Sequence, residues 1–176
     1  VKNHGGTVTF DSELGKGTTF HVYLPAIKGK ARKETNVSVA AAPTQSQRTL
    51  HGRILAMDDE EAILTLLTRM LVDSGYEVET SKNGDEAIEK YGKAKKSGKA
   101  FDAVILDLTV PGGMGGKEVL AKLLEIDPNV KAIVSSGYAN DPIMAHYQEY
   151  GFSGVVTKPY DINLMKEKLN NILASK

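Results

Sequence analysis

The sequence predicts an α/β domain of the doubly wound kind, a parallel sheet covered by helices on both faces, and three observations predict it. From Arg53 onward, short apolar runs alternate with segments of helical periodicity, five of each. The central run, Ala103-Val104-Ile105-Leu106, is apolar throughout, too short for a helix and rich in β-branched residues, the pattern of a strand buried on both faces. That run ends in a carboxylate, Asp107, followed by Leu108-Thr109-Val110-Pro111 and a glycine-rich stretch that marks a loop. Strand-helix alternation means right-handed crossovers, and these place helices on both faces of a parallel sheet.

Composition narrows the class. A chain of 176 residues can bury one substantial core and hardly two. Lys plus Arg and Asp plus Glu both number 22, so no net field draws the molecule to nucleic acid or to an anionic membrane. The lack of cysteine excludes thiolate metal sites, disulfides and cysteine nucleophiles. No apolar run approaches the roughly 18 to 20 residues of a membrane span, and no secretion signal opens the chain, so a cytoplasmic protein is expected. It begins with Val1 rather than Met, which suggests a fragment.

In chain order, Thr7–Phe10 and Thr18–Leu24 are β-branched and aromatic, and the glycine-containing segment Asp11–Gly17 joins them as a hairpin. Two strands alone do not hold together in water, so this hairpin needs something to pack on. Residues 26–52 are basic at first, then small and polar without a period, which is the composition of a flexible linker. A linker of that length has a root-mean-square reach on the order of 30 Å. Its four cations before Pro43 lack interleaved aromatics, so a nucleic-acid arm is not indicated.

The domain proper, residues 53–176, starts with a strand at Ile54–Met57 that ends in Asp58-Asp59-Glu60-Glu61. Ile63, Leu64, Leu67, Met70 and Leu71 recur at helical spacing, with Gly75 as the stop. Tyr76–Thr80 is the second strand, and Asp85–Lys96 a helix with a narrow apolar face of Ala87, Ile88 and Tyr91. Ala103–Asp107 is the third strand, followed by a helix through Val119, Leu120, Leu123, Leu124 and Ile126. Val130–Ser135 is the fourth, ending at Ser136-Gly137, with a helix expected from about Pro142 to Tyr150. Gly154–Thr157 is the fifth, ending at Lys158-Pro159, and a helix carrying Ile162, Met165, Leu169, Ile172 and Leu173 closes the chain.

Polar residues therefore mark the carboxyl ends of four strands: Asp58 and Asp59, Asp107, Ser136 and Lys158. In a parallel sheet those ends share one edge, where ligands bind in open α/β folds. Three carboxylates gathered there repel and raise one another's pKa unless a cation sits among them. Mg²⁺ suits such a set, because it takes oxygen ligands, keeps several waters and bridges carboxylates to phosphoryl groups. Lys158 supplies a fixed positive charge for a phosphoryl oxygen. The glycines at 112, 113, 115 and 116 lack the Lys-Ser/Thr ending of a phosphate-cradling loop and are read as a flexible turn. Tyr138 and Tyr160 fall near the rim of this edge, as exposed partner-facing residues or as packing.

On these residues, positions 53–173 resemble the receiver domain of two-component response regulators. The resemblance implies a flavodoxin-like strand order of 2-1-3-4-5. It makes Asp107 the phosphoacceptor, Asp58 and Asp59 the acidic pair that holds Mg²⁺, and the Thr109 carbonyl a further ligand. Ser136 matches the hydroxyl switch residue, and Lys158, before a cis bond at Pro159, the family's lysine. Two departures stand out: Val155 where the family usually carries an aromatic switch residue, and Met114 where an acid is common. The Asp107–Gly116 loop resembles receivers fused to hybrid sensor kinases. Consistently, His4-Gly5-Gly6, Ser12-Glu13, Gly15, Gly17–Phe20 and Tyr23-Leu24-Pro25 resemble the last strands of the kinase ATP-binding domain. Residues 1–25 then read as its C-terminal remnant, without the boxes that hold ATP. His4 reads as an ordinary residue, because in that family the phosphorylated histidine sits on a separate helical domain.

What the resemblance implies is transfer of a phosphoryl group from phosphohistidine to Asp107, with a histidine kinase or phosphotransfer domain as partner. The enzymology implied is limited to the domain's own phosphorylation and dephosphorylation, within a parent that is a histidine kinase. Two other readings remain open. A receiver-like interaction module that never takes phosphate predicts no Mg²⁺ affinity. An aspartyl-phosphate hydrolase needs a second acid two residues after the nucleophile; Thr109 stands there, so turnover by that route is slow.

Overall fold

The computed structural model describes residue 1 and residues 5–25, 52–138 and 141–174. His4 and nearly all of the expected linker lie outside the described residues. The chain divides into two compact units, residues 1–44 and 45–176.

In the larger unit the strands alternate side chains between two faces, and in the inner strands both faces are apolar, which is why their sequences read as hydrophobic runs, whereas the edge strand at Glu77–Ser81 is largely polar. From β3 (Arg53–Met57), β5 (Ala103–Asp107) and β6 (Ala132–Ser136), the residues Leu55, Met57, Val104, Leu106, Ala132 and Val134 face one core. There they meet Ala87 and Tyr91 of α2 (Gly84–Lys96) and Val119, Leu120 and Leu123 of α3 (Gly116–Ile126). The intervening residues Ile54, Ala56, Ala103, Ile105 and Ile133, with Val156 of β7 (Gly154–Thr157), face the other core. Leu64, Leu67 and Leu71 of α1 (Glu61–Val72) cover it, with Met165, Leu169 and Ile172 of α5 (Ile162–Ala174).

With β4 (Glu77–Ser81) at one edge, the parallel order is β4-β3-β5-β6-β7, the doubly wound order 2-1-3-4-5 when this sheet's strands are numbered from one. The expectation for this unit is met in fold class, strand order and helix placement. One element differs. The helix expected from Pro142 to Tyr150 is a single turn, α4 (Pro142–Ala145), followed by a 3₁₀ turn at Tyr147–Tyr150. Its inward residues Met144, Tyr147 and Tyr150 are spaced by three, the repeat of a 3₁₀ helix, whereas the α-helical repeat would carry the third of them off the core. Gly151, at φ +88°, ends the turn.

The smaller unit contains one antiparallel hairpin, β1 (Thr7–Glu13) and β2 (Gly17–Tyr23). The turn is tighter than the Asp11–Gly17 segment expected, because Lys16 N closes on Glu13 O at 3.0 Å and Gly15 takes φ +81°. Val8 opposes Val22 and Phe10 opposes Phe20 on one face, the two rings 6.0 Å apart. Phe10 and Phe20 are 65% and 68% exposed, so the hairpin supplies no core of its own. Among the described residues, no helix is long and apolar enough to cross a membrane.

Candidate functional site

The strand order places β3, β5, β6 and β7 side by side, so the four polar strand ends found in the sequence become neighbours on the carboxyl edge of the sheet. Asp58 follows β3 and is fully buried. Its backbone N–H donates to Ser81 O at 3.1 Å, and its Oδ1 accepts from Glu60 N at 3.0 Å. Asp107, the last residue of β5, is 5% exposed. Asp59 is exposed beside them, and one carboxylate oxygen from each of Asp58, Asp59 and Asp107 falls within a cluster no wider than 4.8 Å. Lys158, just past β7, reaches the same cluster. Its Nζ lies 2.6 Å from Asp58 Oδ2 and 3.0 Å from Asp107 Oδ1.

The electrostatics of this cluster are unbalanced: three carboxylates face one ammonium. Burial pushes the Asp107 carboxyl above the usual aspartate range; Lys158 pulls it back, and the charges of Asp58 and Asp59 add to the rise. Burial works against the Lys158 ammonium, but its bonds to Asp58 and Asp107 outweigh that and hold it firmly protonated. Asp58 Oδ2 is buried, and among the described residues its one close polar partner is the Lys158 ammonium at 2.6 Å. A buried carboxylate oxygen with an open lone pair beside two further carboxylates fits a hard, oxygen-seeking divalent cation such as Mg²⁺.

Ser136 ends β6 and is 3% exposed, with its backbone carbonyl accepting from Lys158 N at 2.9 Å. Its Oγ accepts from Tyr138 N at 3.0 Å, and among the described residues no acceptor takes the hydroxyl proton. Thr109 sits two residues past Asp107 with an exposed side chain. The Lys158–Pro159 peptide is cis.

The loop after Asp107 differs from the flexible turn expected. A Cβ on Gly115 would stand 2.3 Å from Leu108 O, and one on Gly116 would stand 2.8 Å from Asp107 O. These two glycines are therefore required by close backbone approach to the phosphoacceptor candidate, while Gly112, at φ +71°, makes the turn. Gly115 N donates to Glu118 Oε2 at 2.7 Å, fixing the start of α3. Met114, in the place of an acid, packs into the core beside the start of α2, against Gly84. Val155 is the register partner of Val134 and packs in the same core, offering neither ring nor hydroxyl.

Sequence reasoning grouped Tyr138 and Tyr160 without distinguishing them, and they differ. Tyr138 is 75% exposed. Tyr160 is half-buried against the second core, and its hydroxyl shares a 2.7 Å hydrogen bond with Ser135 Oγ. Burial pushes that phenol up to about 12, with the Ser135 bond and Lys158 acting the other way. Ser135 alone carried a signal, as a hydroxyl in an otherwise apolar buried run, and nothing in the sequence joined it to Tyr160.

Comparison with known proteins agrees with this geometry. Residues 54–170 match the response regulator receiver domain family. The chain is 31% identical over 121 residues to chemotaxis protein CheY of Thermotoga maritima, covering 68% of this chain and 96% of that protein. It is 30% identical over 176 residues to sensor kinase CckA of Brucella abortus, covering 98% of this chain. The chain spans only 18% of that kinase's length. Among solved structures, the receiver domain of a sensor histidine kinase from Pseudomonas aeruginosa, with magnesium coordinated in its active-site cleft, superposes with a TM-score of 0.62 at 19% identity. That superposition covers 71% of this chain and 99% of the Pseudomonas domain, and it supports the fold.

Proposed function

This chain belongs to the response regulator receiver domains, the phosphoacceptor modules of two-component signalling, and on that premise we propose that Asp107 is the residue that takes the phosphoryl group. The observation that carries the assignment is the position of its carboxylate: at the carboxyl end of the central strand, nearly buried, 3.0 Å from Lys158 Nζ and clustered with Asp58 and Asp59.

A carboxylate oxygen of Asp107 attacks the phosphorus of a phosphohistidine. A P–O bond forms, the P–N bond breaks, and the imidazole leaves with the electron pair and takes up a proton. Lys158 meets the charge that accumulates on the transferring phosphoryl oxygens. Asp58 and Asp59, with Asp107 and the Thr109 carbonyl, are the residues that would hold Mg²⁺, which when bound neutralises the same charge. The resulting acyl phosphate adds roughly 1.5 to 2 negative charges and new acceptor oxygens. Ser136, its hydroxyl proton uncommitted, donates to one of them, a charge-assisted bond of about 1.5 to 3 kcal/mol. That is less than the ~5.5 kcal/mol that inverts a 1:99 population, so the response is graded and centred on β6, β7 and the segment between them.

The donor is a histidine kinase or a histidine phosphotransfer domain, and the chain is the C-terminal part of a hybrid sensor kinase acting in the cytoplasm. Supporting this, the match to the Brucella sensor kinase runs through the hairpin and the segment after it as well as the receiver. Residues 1–25 are then the last strands of the kinase ATP-binding domain, residues 26–52 a linker and residues 53–176 the receiver. The exposed face of Val8, Phe10, Phe20 and Val22 is the surface that the rest of such a domain covers.

The test is incubation with acetyl phosphate and Mg²⁺. Intact-mass spectrometry is expected to show one added phosphoryl group, labile to hydroxylamine, and none in Asp107→Asn. Labelling that persists in that variant would overturn the assignment. NMR shifts confined to the metal pocket on beryllofluoride binding would refute propagation to β6 and β7.

A further inference from the structure

Two features of the Ser135–Tyr160 pair fall outside the phosphoacceptor reading, although the role they support rests on that reading. The first is location. Ser135 is the register partner of Asp107, and its carbonyl accepts from Leu108 N at 2.8 Å, so its backbone is tied to the strand end that carries the nucleophile. Tyr160 stands two residues past Lys158 on the segment that delivers the ammonium. Their 2.7 Å hydrogen bond thus joins the residue beside the acceptor to the residue beside the lysine.

The second is chemistry. Ser135 is 1% exposed, and its neighbours on the same face of β6 and β7, Ile133 and Val156, are apolar. A hydroxyl at such a place costs desolvation that a valine avoids, unless it has a partner to hold. Tyr160 is that partner. The segment 158–160 is then held to β6 at two points, by Lys158 N on Ser136 O and by the tyrosine hydroxyl on Ser135 Oγ.

The need for a second tether arises from the lysine itself. Lys158 carries its charge on a four-carbon stem, and in the present arrangement the ammonium is directed by Asp58 and Asp107. During transfer Asp107 becomes an acyl phosphate and gives up one of those contacts. Asp58 is then the ammonium's remaining carboxylate partner, and the backbone position of residue 158 decides how far the stem can carry the charge from Asp58 toward the phosphoryl oxygens. We propose that Tyr160, through its hydrogen bond to Ser135, is a positioning residue for the Lys158 ammonium during phosphoryl transfer to Asp107.

The test is a double-mutant cycle on the full chain, with acetyl phosphate as donor at saturating Mg²⁺. Tyr160→Phe removes one hydroxyl and keeps the ring. It is expected to lower the maximal phosphorylation rate about three- to tenfold without changing the half-saturating acetyl phosphate concentration, and Ser135→Ala is expected to match it. In a Lys158→Ala background, Tyr160→Phe is expected to change the residual rate by less than about twofold. An unchanged rate in Tyr160→Phe would overturn the proposal. So would a loss of equal factor with and without Lys158, because the tyrosine would then act on folding or on another group. A second readout is the ¹H–¹⁵N signal of the Lys158 ammonium, expected to be resolved in the wild type and broadened in Tyr160→Phe. If the wild type took no phosphoryl group while that signal still responded, the phosphoacceptor reading would fall and the positioning of the lysine would stand. A signal indifferent to the substitution would overturn the positioning role itself.

Discussion

The two ends of the parallel sheet handle charge in opposite ways. At the amino end, Arg53 is surrounded by acceptors: its Nε donates to Glu77 at 3.1 Å, and its remaining nitrogens donate to Glu79 and to Lys99 O. Its guanidinium also stacks 4.7 Å over Phe101. Nearby, Asp127 closes α3 and accepts from Tyr91 at 3.0 Å and Asn129 N at 3.1 Å, with Lys95 3.0 Å away. At the carboxyl end, three clustered carboxylates share one lysine, which reaches only Asp58 and Asp107. Both ends hold ionised groups of the same chemical types. What separates them is the balance of charge: at the first the ionised groups have partners of opposite charge among the chain's own residues, with the buried Tyr76 hydroxyl left over, whereas at the second the carboxylates outnumber the cations, which suits a bound cation. Incomplete electrostatics at a sheet edge, rather than the number of charges there, is what marks a place for ligands.

Breaking each end in turn sharpens that contrast. The largest effect expected is from Asp107→Asn, which abolishes phosphoryl uptake and beryllofluoride binding while raising stability in the absence of metal. The ionised carboxyl is disfavoured where it stands, and the amide removes that charge. Equilibrium urea unfolding in EDTA reads the sign; a less stable variant would contradict the picture of a strained edge.

Arg53→Met comes next, at the satisfied end. It is expected to cost about 2 kcal/mol, because it removes charge-assisted hydrogen bonds to Glu77, Glu79 and the Lys99 carbonyl together with the contact over Phe101, while phosphorylation by acetyl phosphate at low temperature proceeds as in the wild type. A loss of phosphorylation in a folded Arg53 variant would show the two ends to be coupled.

Mg²⁺ separates the ends at somewhat smaller amplitude. At ten times its dissociation constant, a single bound ion stabilises by about 1.4 kcal/mol through linkage. That gain is expected in the wild type and in Arg53→Met, and is expected to vanish in Asp58→Asn, as followed by thermal unfolding with and without the ion.

The subtlest contrast is in pH. Asp107 has a raised pKa, so the folded state holds its proton more tightly than the unfolded chain. Its contribution is greatest below the ordinary aspartate range and is lost as pH rises through the folded value. Asp127 is the reverse: burial opposes ionisation, but Lys95, Asn129 N and Tyr91 together hold its carboxyl below the ordinary range. Its stabilisation is present above that range and disappears as pH falls through the folded value. Urea midpoints from pH 3 to 7 in EDTA should therefore change in opposite senses when Asp107→Asn and Asp127→Asn are each compared with the wild type.

The carboxyl end was legible in the sequence because each of its groups comes just after a strand, and parallel topology converts four strand ends into one edge. The inner strands were legible to within a residue or two, since both of their faces are covered and their apolar runs are short and bounded, and the edge strand at Glu77–Ser81 was read from its place in the strand-helix alternation. Elements whose form depends on side-chain packing were harder to read. Met144, Tyr147 and Tyr150 fit a helical stripe until their spacing of three is set against a core that accepts a 3₁₀ turn. The hairpin turn was placed too widely because Asp11, Ser12 and Glu13 are polar, although they pair with Thr19, Thr18 and Gly17. The amino end was invisible as a site, because Arg53, Phe101 and Asp127 lie far apart in the chain and carry no motif. Ser135 and Tyr160 were unpaired for the same reason.

Gly115 and Gly116 have an evolutionary consequence. Each lies so near a main-chain carbonyl, that of Leu108 or of Asp107, that any larger residue would first displace the strand end bearing Asp107 and only then disturb the helix beyond it. Drift at these two positions is therefore expected to silence signalling in lineages whose domain still folds, leaving well-formed descendants that bind partners yet carry no message.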